Sequence, residues 1–257
     1  MEQRRLMDKL TITLEKGQKV FFTSDPHYGH RNILKFCNRP YNDTKEMEQD
    51  LIKRWNSVVS NNDIVFILGD IVWFDGRSNT QRILEQLNGK EIHIIPGNHD
   101  DRRNFGYLSE RFIFHDSIVT CFINTGEGIK ELFLSHFPMA TWPHHDRKAI
   151  HLFGHIHSGP NCDNNAIDVP GKDLILKFGK CYDVGVDNNN YTPIELNYIQ
   201  NKLSDDLVSD MLDFLERQGW SDLIDNKWKA ELILQLEIAF PGAPTTVIQE
   251  VLDIVLI

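Results

Sequence analysis

The chain has 257 residues, 41% of them hydrophobic and 25% charged, which is the composition of an ordinary globular protein and excludes collagen, coiled coil and global disorder. At roughly 100–200 residues per domain, this length predicts one large domain with an appendage. Twenty-seven lysines and arginines against 37 acidic residues leave a formal charge of −10, which argues against a chain-wide cationic surface and hence against extended nucleic acid as a partner.

The first twenty residues are charged and lack the unbroken apolar core of a signal peptide, and no later run approaches the ~18 apolar residues of a membrane span. A cytoplasmic protein with no membrane partner is expected. Short runs rich in Val, Ile, Phe and Leu then read as buried strands: Lys19–Asp25, Asp63–Asp70, Glu91–Gly97, Glu131–His136 and Ala149–His155. Between them, Thr44–Val59 sets Met47, Leu51, Trp55 and Val58 at helical spacing behind a Thr44 cap, and Ser78–Leu87 repeats the pattern with Ile83 and Leu87. Further strands are expected at Phe112–Ile123, Leu174–Phe178 and Cys181–Val186, with a loop over Gly159–Lys172. From Leu203 to Ile257 the pattern is helical and broken by Pro241-Gly242-Ala243-Pro244. This predicts a layered α/β domain over residues 1–200 and a helical C-terminal extension over 201–257, whose apolar residues pack on the main domain or on each other, with an oligomer contact as the alternative. Cys37, Cys121, Cys162 and Cys181 form no Cys-x-x-Cys pair and are expected to be reduced and mostly buried.

Five polar clusters fall at or just beyond the carboxyl ends of predicted strands: Asp25-Pro-His27, Gly69-Asp70, Gly97-Asn98-His99-Asp100, Ser135-His136 and Gly154-His155-Ile156-His157. Ligand crevices in open α/β sheets lie outside those ends. Imidazole, carboxylate and one amide oxygen together suit Mn, Fe or Zn better than Mg or Ca. Two such ions about 3.5–4 Å apart can activate a bridging water and stabilise an in-line phosphoryl displacement. A carboxylate must then bridge them, and Asp70 is the natural choice, because the glycine before it allows close backbone approach.

Taken in order, Asp25-x-His27, Gly69-Asp70, Gly97-Asn98-His99-Asp100, His136 and Gly154-His155-x-His157 resemble the calcineurin-like metallophosphoesterase superfamily, and Asp25–Tyr41 resembles a bacterial and phage branch of it. The resemblance implies a four-layer αββα sandwich, two mixed β-sheets flanked by helices. It implies two divalent metal ions, manganese first, with iron, zinc, cobalt or nickel as alternatives. One ion would take Asp25, His27, Asp70 and His157, and the other Asp70, Asn98, His136 and His155. A metal-bridging hydroxide would attack the phosphate ester in line, with Asn98 also holding a phosphate oxygen and His99, not a ligand, facing the leaving group. Many members carry an acidic residue three positions after the bridging Asp to orient that imidazole; here it is Trp73, so Asp75 or Asp100 is expected in its place. His155 and His157, two apart on a strand, are expected to share one face.

His30 and Asn32 are read as substrate contacts, whereas Arg39, in a loop beside Pro40, reads as an ordinary surface charge. His93, His115, His144, His145 and His151 lack a motif and read as structural or exposed. The expected activity is a phosphodiesterase acting on a nucleotide or other small phosphodiester. Phosphomonoesterase and nuclease are the alternatives, and a non-catalytic binding protein is the least favoured.

Overall fold

The computed structural model describes residues 8–73, 77–147, 149–162, 180–217, 229–240 and 243–255. Its strands are β1 (Asp8–Thr13), β2 (Val20–Thr23), β3 (Ile64–Ile67), β4 (Glu91–Ile94), β5 (Phe112–Phe114), β6 (Ile118–Asn124), β7 (Ile129–Ser135), β8 (Ile150–Phe153), β9 (Cys181–Asp183) and β10 (Ile194–Glu195). They form two five-stranded sheets, in the orders β1-β6-β7-β8-β9 and β10-β2-β3-β4-β5. Both sheets are mixed: β6–β7 and β10–β2 are antiparallel, and the other pairs are parallel. The helices are α1 (Ile33–Phe36), α2 (Thr44–Val58), α3 (Arg77–Leu84), α4 (Leu196–Arg217), α5 (Lys229–Ala239) and α6 (Thr245–Val255). The two sheets flanked by helices are the expected α/β sandwich.

The layering follows from which faces are apolar. Strands β2 and β3 are buried at every position, as strands covered on both faces must be. On one face, Phe22, Phe66 and Leu68 meet Val119, Cys121, Leu132 and Leu152 of the other sheet. On the other, Phe21, Val65 and Ile67 pack under Met47, Leu51 and Trp55 of α2 and Ile83 and Leu84 of α3. The outer face of the first sheet carries a smaller cluster of Phe133, Phe153, Ile156 and Trp142. Each layer thus buries one hydrophobic stripe of its neighbour.

Several local expectations need correction. The cap of α2 is Asp43 rather than Thr44; its carboxylate accepts the Glu46 N–H at 2.9 Å, and the Glu46 carboxylate accepts the Asn42 N–H at 2.8 Å, one residue earlier than the return bond of a capping box. Val58 ends up 40% exposed, because the buried stripe of α2 advances by fours through Met47, Leu51 and Trp55 to its cap Val59 and leaves Val58 beside it. Strand β1 was not expected, since Leu10 and Ile12 are its only large apolar residues and its side chains are mostly exposed or half-buried. Helix α4 starts at Leu196, not Leu203, and runs without interruption through residue 200. Its first turns, with Leu196, Ile199 and Leu203, join the inter-sheet core, while Val208, Met211 and Leu215 join a separate core with Leu232, Leu236, Val247, Ile248, Val251 and Leu252. Helix α5 ends at Ala239 and α6 begins at Thr245, with the Pro-Gly-Ala-Pro run between them in the sequence. The predicted strand Leu174–Phe178, most of the predicted loop Gly159–Lys172, and Trp220 and Trp228 lie outside the described residues. All four cysteines are buried and unpaired by disulfides, and among the described residues no helix is long and apolar enough to cross a membrane.

Of the histidines without a motif, His144 and His145 are exposed, and three are built into the core. His93 Nδ1 lies 2.8 Å from His115 Nε2. His151 Nδ1 donates to the Phe133 carbonyl at 3.0 Å while its Nε2 accepts the Met139 N–H at 3.1 Å. A second proton would set N–H against N–H there, and burial pushes the His151 pKa down to about 4. Between pH 6.5 and about 4 the unfolded chain therefore takes up a proton that the folded chain refuses, so this group removes about 1.4 kcal/mol of stability per pH unit as pH falls through that window. Urea titrations between pH 7 and 5 should show His151→Gln with a shallower loss of stability than the parent; equal slopes would refute the assignment.

Candidate metal centre

The site is made by backbone that leaves each strand and turns sharply. Asp25, His27, Asp70, His155 and His157 have φ of 58°, 51°, 52°, 71° and 44°, five of the nine non-glycine residues with positive φ among those described. Left-handed backbone is costly for such residues, and its concentration in one place marks a functional site. Gly69 sits among them at φ +89°; a Cβ there would meet His136 Nδ1 at 2.7 Å and run into the backbone of Gly97. The turns brace one another: Asp25 N–H donates to Gly69 O at 3.0 Å, His27 N–H to Asp70 O at 3.1 Å and Gly154 N–H to His136 O at 3.0 Å. The Asp100 carboxylate accepts the backbone N–H groups of Asp70, Ile71 and Gly97 at 2.7–2.9 Å. It is a strap between two turns and does not orient His99. Asp75, the other expected partner, lies outside the described residues.

These turns bring the expected ligand atoms into two adjoining groups, Asp25–His27–His157 and Asp70–His136–His155. In the first, Asp25 Oδ1 lies 3.8 Å from His27 Nε2 and 3.7 Å from His157 Nε2. In the second, Asp70 Oδ2 lies 3.5 Å from His136 Nε2. The same oxygen is 3.6 Å from His27 Nε2, so Asp70 stands between the groups. Asn98 Oδ1 approaches His136 Nε2 at 3.0 Å. His155 and His157 do not share one face of a strand as expected: β8 ends at Phe153, and the two imidazoles, on a loop around buried Ile156, go to different groups.

The donor set fits divalent cations. Asp25 Oδ1 and His27 Nε2 are buried with no hydrogen-bond partner among the described residues, a state that costs several kcal/mol unless something charged sits between them. Ligand atoms each about 2.1 Å from one ion stand about 3.0–3.5 Å apart, close to the spacings seen. The remaining imidazole nitrogens are already held: His136 Nδ1 lies 2.7 Å from the Leu68 carbonyl, and His157 Nδ1 lies 2.7 Å from Asp187 Oδ2. Each Nδ1 can donate its proton there, which leaves the Nε2 lone pair for a cation.

Charge in the cluster is unevenly balanced. Burial raises the Asp25 carboxyl, whereas burial of Asp70 is outweighed by its hydrogen bond and charge contact with His136 and by the His99 N–H, which hold it below the usual carboxylate range. Burial works against the charged form of His136, yet Asp70 and Asp25 push its pKa up to about 9. In His157, burial is likewise outweighed, here by Asp187 and Asp25. Burial and cationic neighbours push His27 well down, and burial with His136 brings His155 to about 4. The buried carboxylates thus draw His136 and His157 toward their charged forms, the same demand for positive charge that a cation held at Nε2 would meet.

His99 stands at the open edge, with its side chain 40% exposed and Nε2 3.9 Å from Asp70 Oδ2. Its ring contacts Trp73 at 4.5 Å between centroids. Trp73 stacks on buried His30 at 3.8 Å and 10°, so His30 lies beneath an exposed indole, and Asn32 is exposed at the start of α1. Phe137, also exposed, packs on His155 at 4.5 Å on the other side. Sequence reasoning missed Arg39 and Asp187. Arg39 is buried, not a surface charge, and is paired through Nε and Nη2 with both Asp187 oxygens at 2.8 Å. The signal available was proximity to motifs: Arg39 lies in the polar stretch after His27, and Asp187 in the Asp/Asn-rich run after β9.

Similarity to known proteins points the same way. The chain is 48% identical over 84 residues to the uncharacterized protein MJ1445 of Methanocaldococcus jannaschii, a match that covers 32% of this chain and 47% of that one. It is 27% identical over 162 residues to the Gene 66 protein of Mycobacterium phage L5, covering 54% of this chain and 77% of the phage protein. The crystal structure of AQ665 from Aquifex aeolicus, a protein of unknown function, shares the fold with a TM-score of 0.51 at 22% identity, over 72% of this chain and 99% of that one. The family model described as calcineurin-like phosphoesterase matches residues 18–229. The chain belongs to the calcineurin-like phosphoesterase family, whose chemistry is metal-dependent hydrolysis of phosphate esters.

Proposed function

We propose that the chain is a dinuclear metal-dependent phosphodiesterase acting on a nucleotide or other small phosphodiester. The observation that carries the reading is Asp70 standing between two ligand groups, with an exposed imidazole at their rim. Asp25, His27, Asp70 and His157 would hold one ion, and Asp70, Asn98, His136 and His155 the other; manganese suits this mixed nitrogen and oxygen set. Bound divalent ions supply Lewis acidity and water activation. The chain's own groups do the rest. Asn98 orients a phosphate oxygen with its amide, and His99 donates a proton to the leaving oxygen or stabilises the charge growing there. Trp73 backs the His99 ring where relatives use a carboxylate. The diester preference is supported by the two exposed aromatics, Trp73 beside His30 and His99 and Phe137 beside His155, which offer apolar contact to groups on both sides of a phosphate. With no extended cationic surface expected from a charge of −10, a small substrate fits better than a long nucleic acid.

Elemental analysis followed by hydrolysis of bis(p-nitrophenyl) phosphate and p-nitrophenyl phosphate with added manganese tests the reading. Two ions per chain and faster diester cleavage are expected; faster monoester cleavage would make the protein a phosphatase, and turnover that survives complete chelation would end the metal mechanism. Asp70→Asn should leave less than one ion per chain and no measurable turnover. His99→Ala should keep both ions while kcat falls about 10²–10⁴-fold on diesters with poor leaving groups. A His99→Ala protein that lacks an ion would show that His99 is a ligand instead.

A further inference from the structure

A cationic side chain on a loop beside proline ordinarily stands in water, yet Arg39 is 3% exposed. Its planar fork is fully engaged. Nε and Nη2 each donate to one Asp187 oxygen, Nη2 donates also to the Asp25 carbonyl, and Nη1 donates to the Pro26 carbonyl, all at 2.8 Å. Asp187 Oδ2 in turn accepts from His157 Nδ1 at 2.7 Å. A buried ion pair is a poor device for stability alone, since desolvation offsets most of the attraction. What distinguishes this one is where its hydrogen bonds end: on the backbone of the left-handed Asp25–Pro26–His27 turn and, through one carboxylate, on His157. Those are the members of a single ligand group.

We propose that Arg39 is a positioning residue for the Asp25–His27–His157 group: through Asp187 it fixes His157 with its proton on Nδ1 and its Nε2 lone pair inward, and through two carbonyls it holds the strained turn that carries Asp25 and His27. The inference rests on the two-ion reading above. It also accounts for a neighbouring cluster, in which Cys37, Cys162, His157 and Asp187 bring possible ligand atoms together. Both Asp187 oxygens are taken by Arg39 and one also by His157, so this carboxylate serves the imidazole rather than a third cation. Lysine cannot replace the fork, because one ammonium cannot reach both carboxylate oxygens and both carbonyls.

The test is calorimetric titration of the metal-free protein with manganese, in backgrounds that leave one ion site each. In His155→Ala, where the Asp25–His27–His157 site remains, adding Arg39→Lys should weaken manganese binding about 10–100-fold. In His157→Ala, where the other site remains, Arg39→Lys should leave affinity within twofold. Asp187→Asn, which keeps the side-chain size, should give the same selective pattern and carries the test if Arg39→Lys does not fold; circular dichroism melts accompany each variant. Unchanged affinity in the His155→Ala background, or equal weakening in both backgrounds, would overturn the role of Arg39. Parent protein that takes up no manganese at all would instead remove the two-ion reading, and this inference with it.

Discussion

The interior of this protein is organised around the burial of negative charge. Asp25, Asp70 and Asp187 are 1%, 2% and 9% exposed, and an isolated carboxylate moved out of water either takes a proton or finds compensating charge. Each solution here is different. Asp187 is answered by a guanidinium, Asp70 by imidazoles and the His99 N–H, and Asp25 by imidazoles and the His155 N–H, with one oxygen left over. That leftover oxygen, facing an equally unpartnered His27 nitrogen, is the clearest mark of a place prepared for a cation. The imidazoles, the glycines at 69, 97 and 154 and the Asp100 strap all follow from holding those carboxylates close together.

Holding them close requires backbone that ordinary sequences avoid. Five of the cluster's residues adopt left-handed φ, each at a cost of order 1–3 kcal/mol, and the surrounding sheets overdetermine them. The turn after β2 hydrogen-bonds to the turn after β3, and the turn after β7 to the one after β8. A Cβ at Gly154 would run into the side chains of Ser24 and Asp25, so the two sheets approach each other there without space for any side chain. The fully buried Phe22, Phe66 and Leu68 between the sheets fix that approach from below. Rigidity of the core is thus converted into fixed positions for groups at its edge, as a preorganised site requires.

What could be read in the sequence depended on how local the signal was. The strands announced themselves as continuous apolar runs, and the ligand candidates stood in short motifs at their ends, so a contiguous stretch of chain carried each piece. Arg39 and Asp187 had no such advantage. They are 148 residues apart, and an arginine beside a proline looks the same in a sequence whether water or a carboxylate receives it. Val58 kept helical spacing but lies beside the buried stripe, which runs by fours from Met47 to Val59. His155 and His157 were assigned to a strand because a two-residue spacing suggests one face, whereas the backbone had already left β8. Asp100, next to His99, seemed placed to orient it, but three backbone N–H groups claimed both its oxygens.

The same competition for partners explains the environment of His99. A carboxylate three residues after Asp70 would have added a further negative charge beside buried Asp70 and half-buried Asp100. Trp73 adds none, and its indole, stacked on His30 and in contact with His99, limits the imidazole by shape rather than by a hydrogen bond. The cost of such an arrangement is a looser hold on the ring than an ionised partner gives; the gain is an apolar surface at the mouth of the site. In a site whose interior is crowded with charge, an uncharged side chain at the rim adds apolar surface without disturbing the balance that keeps the carboxylates buried.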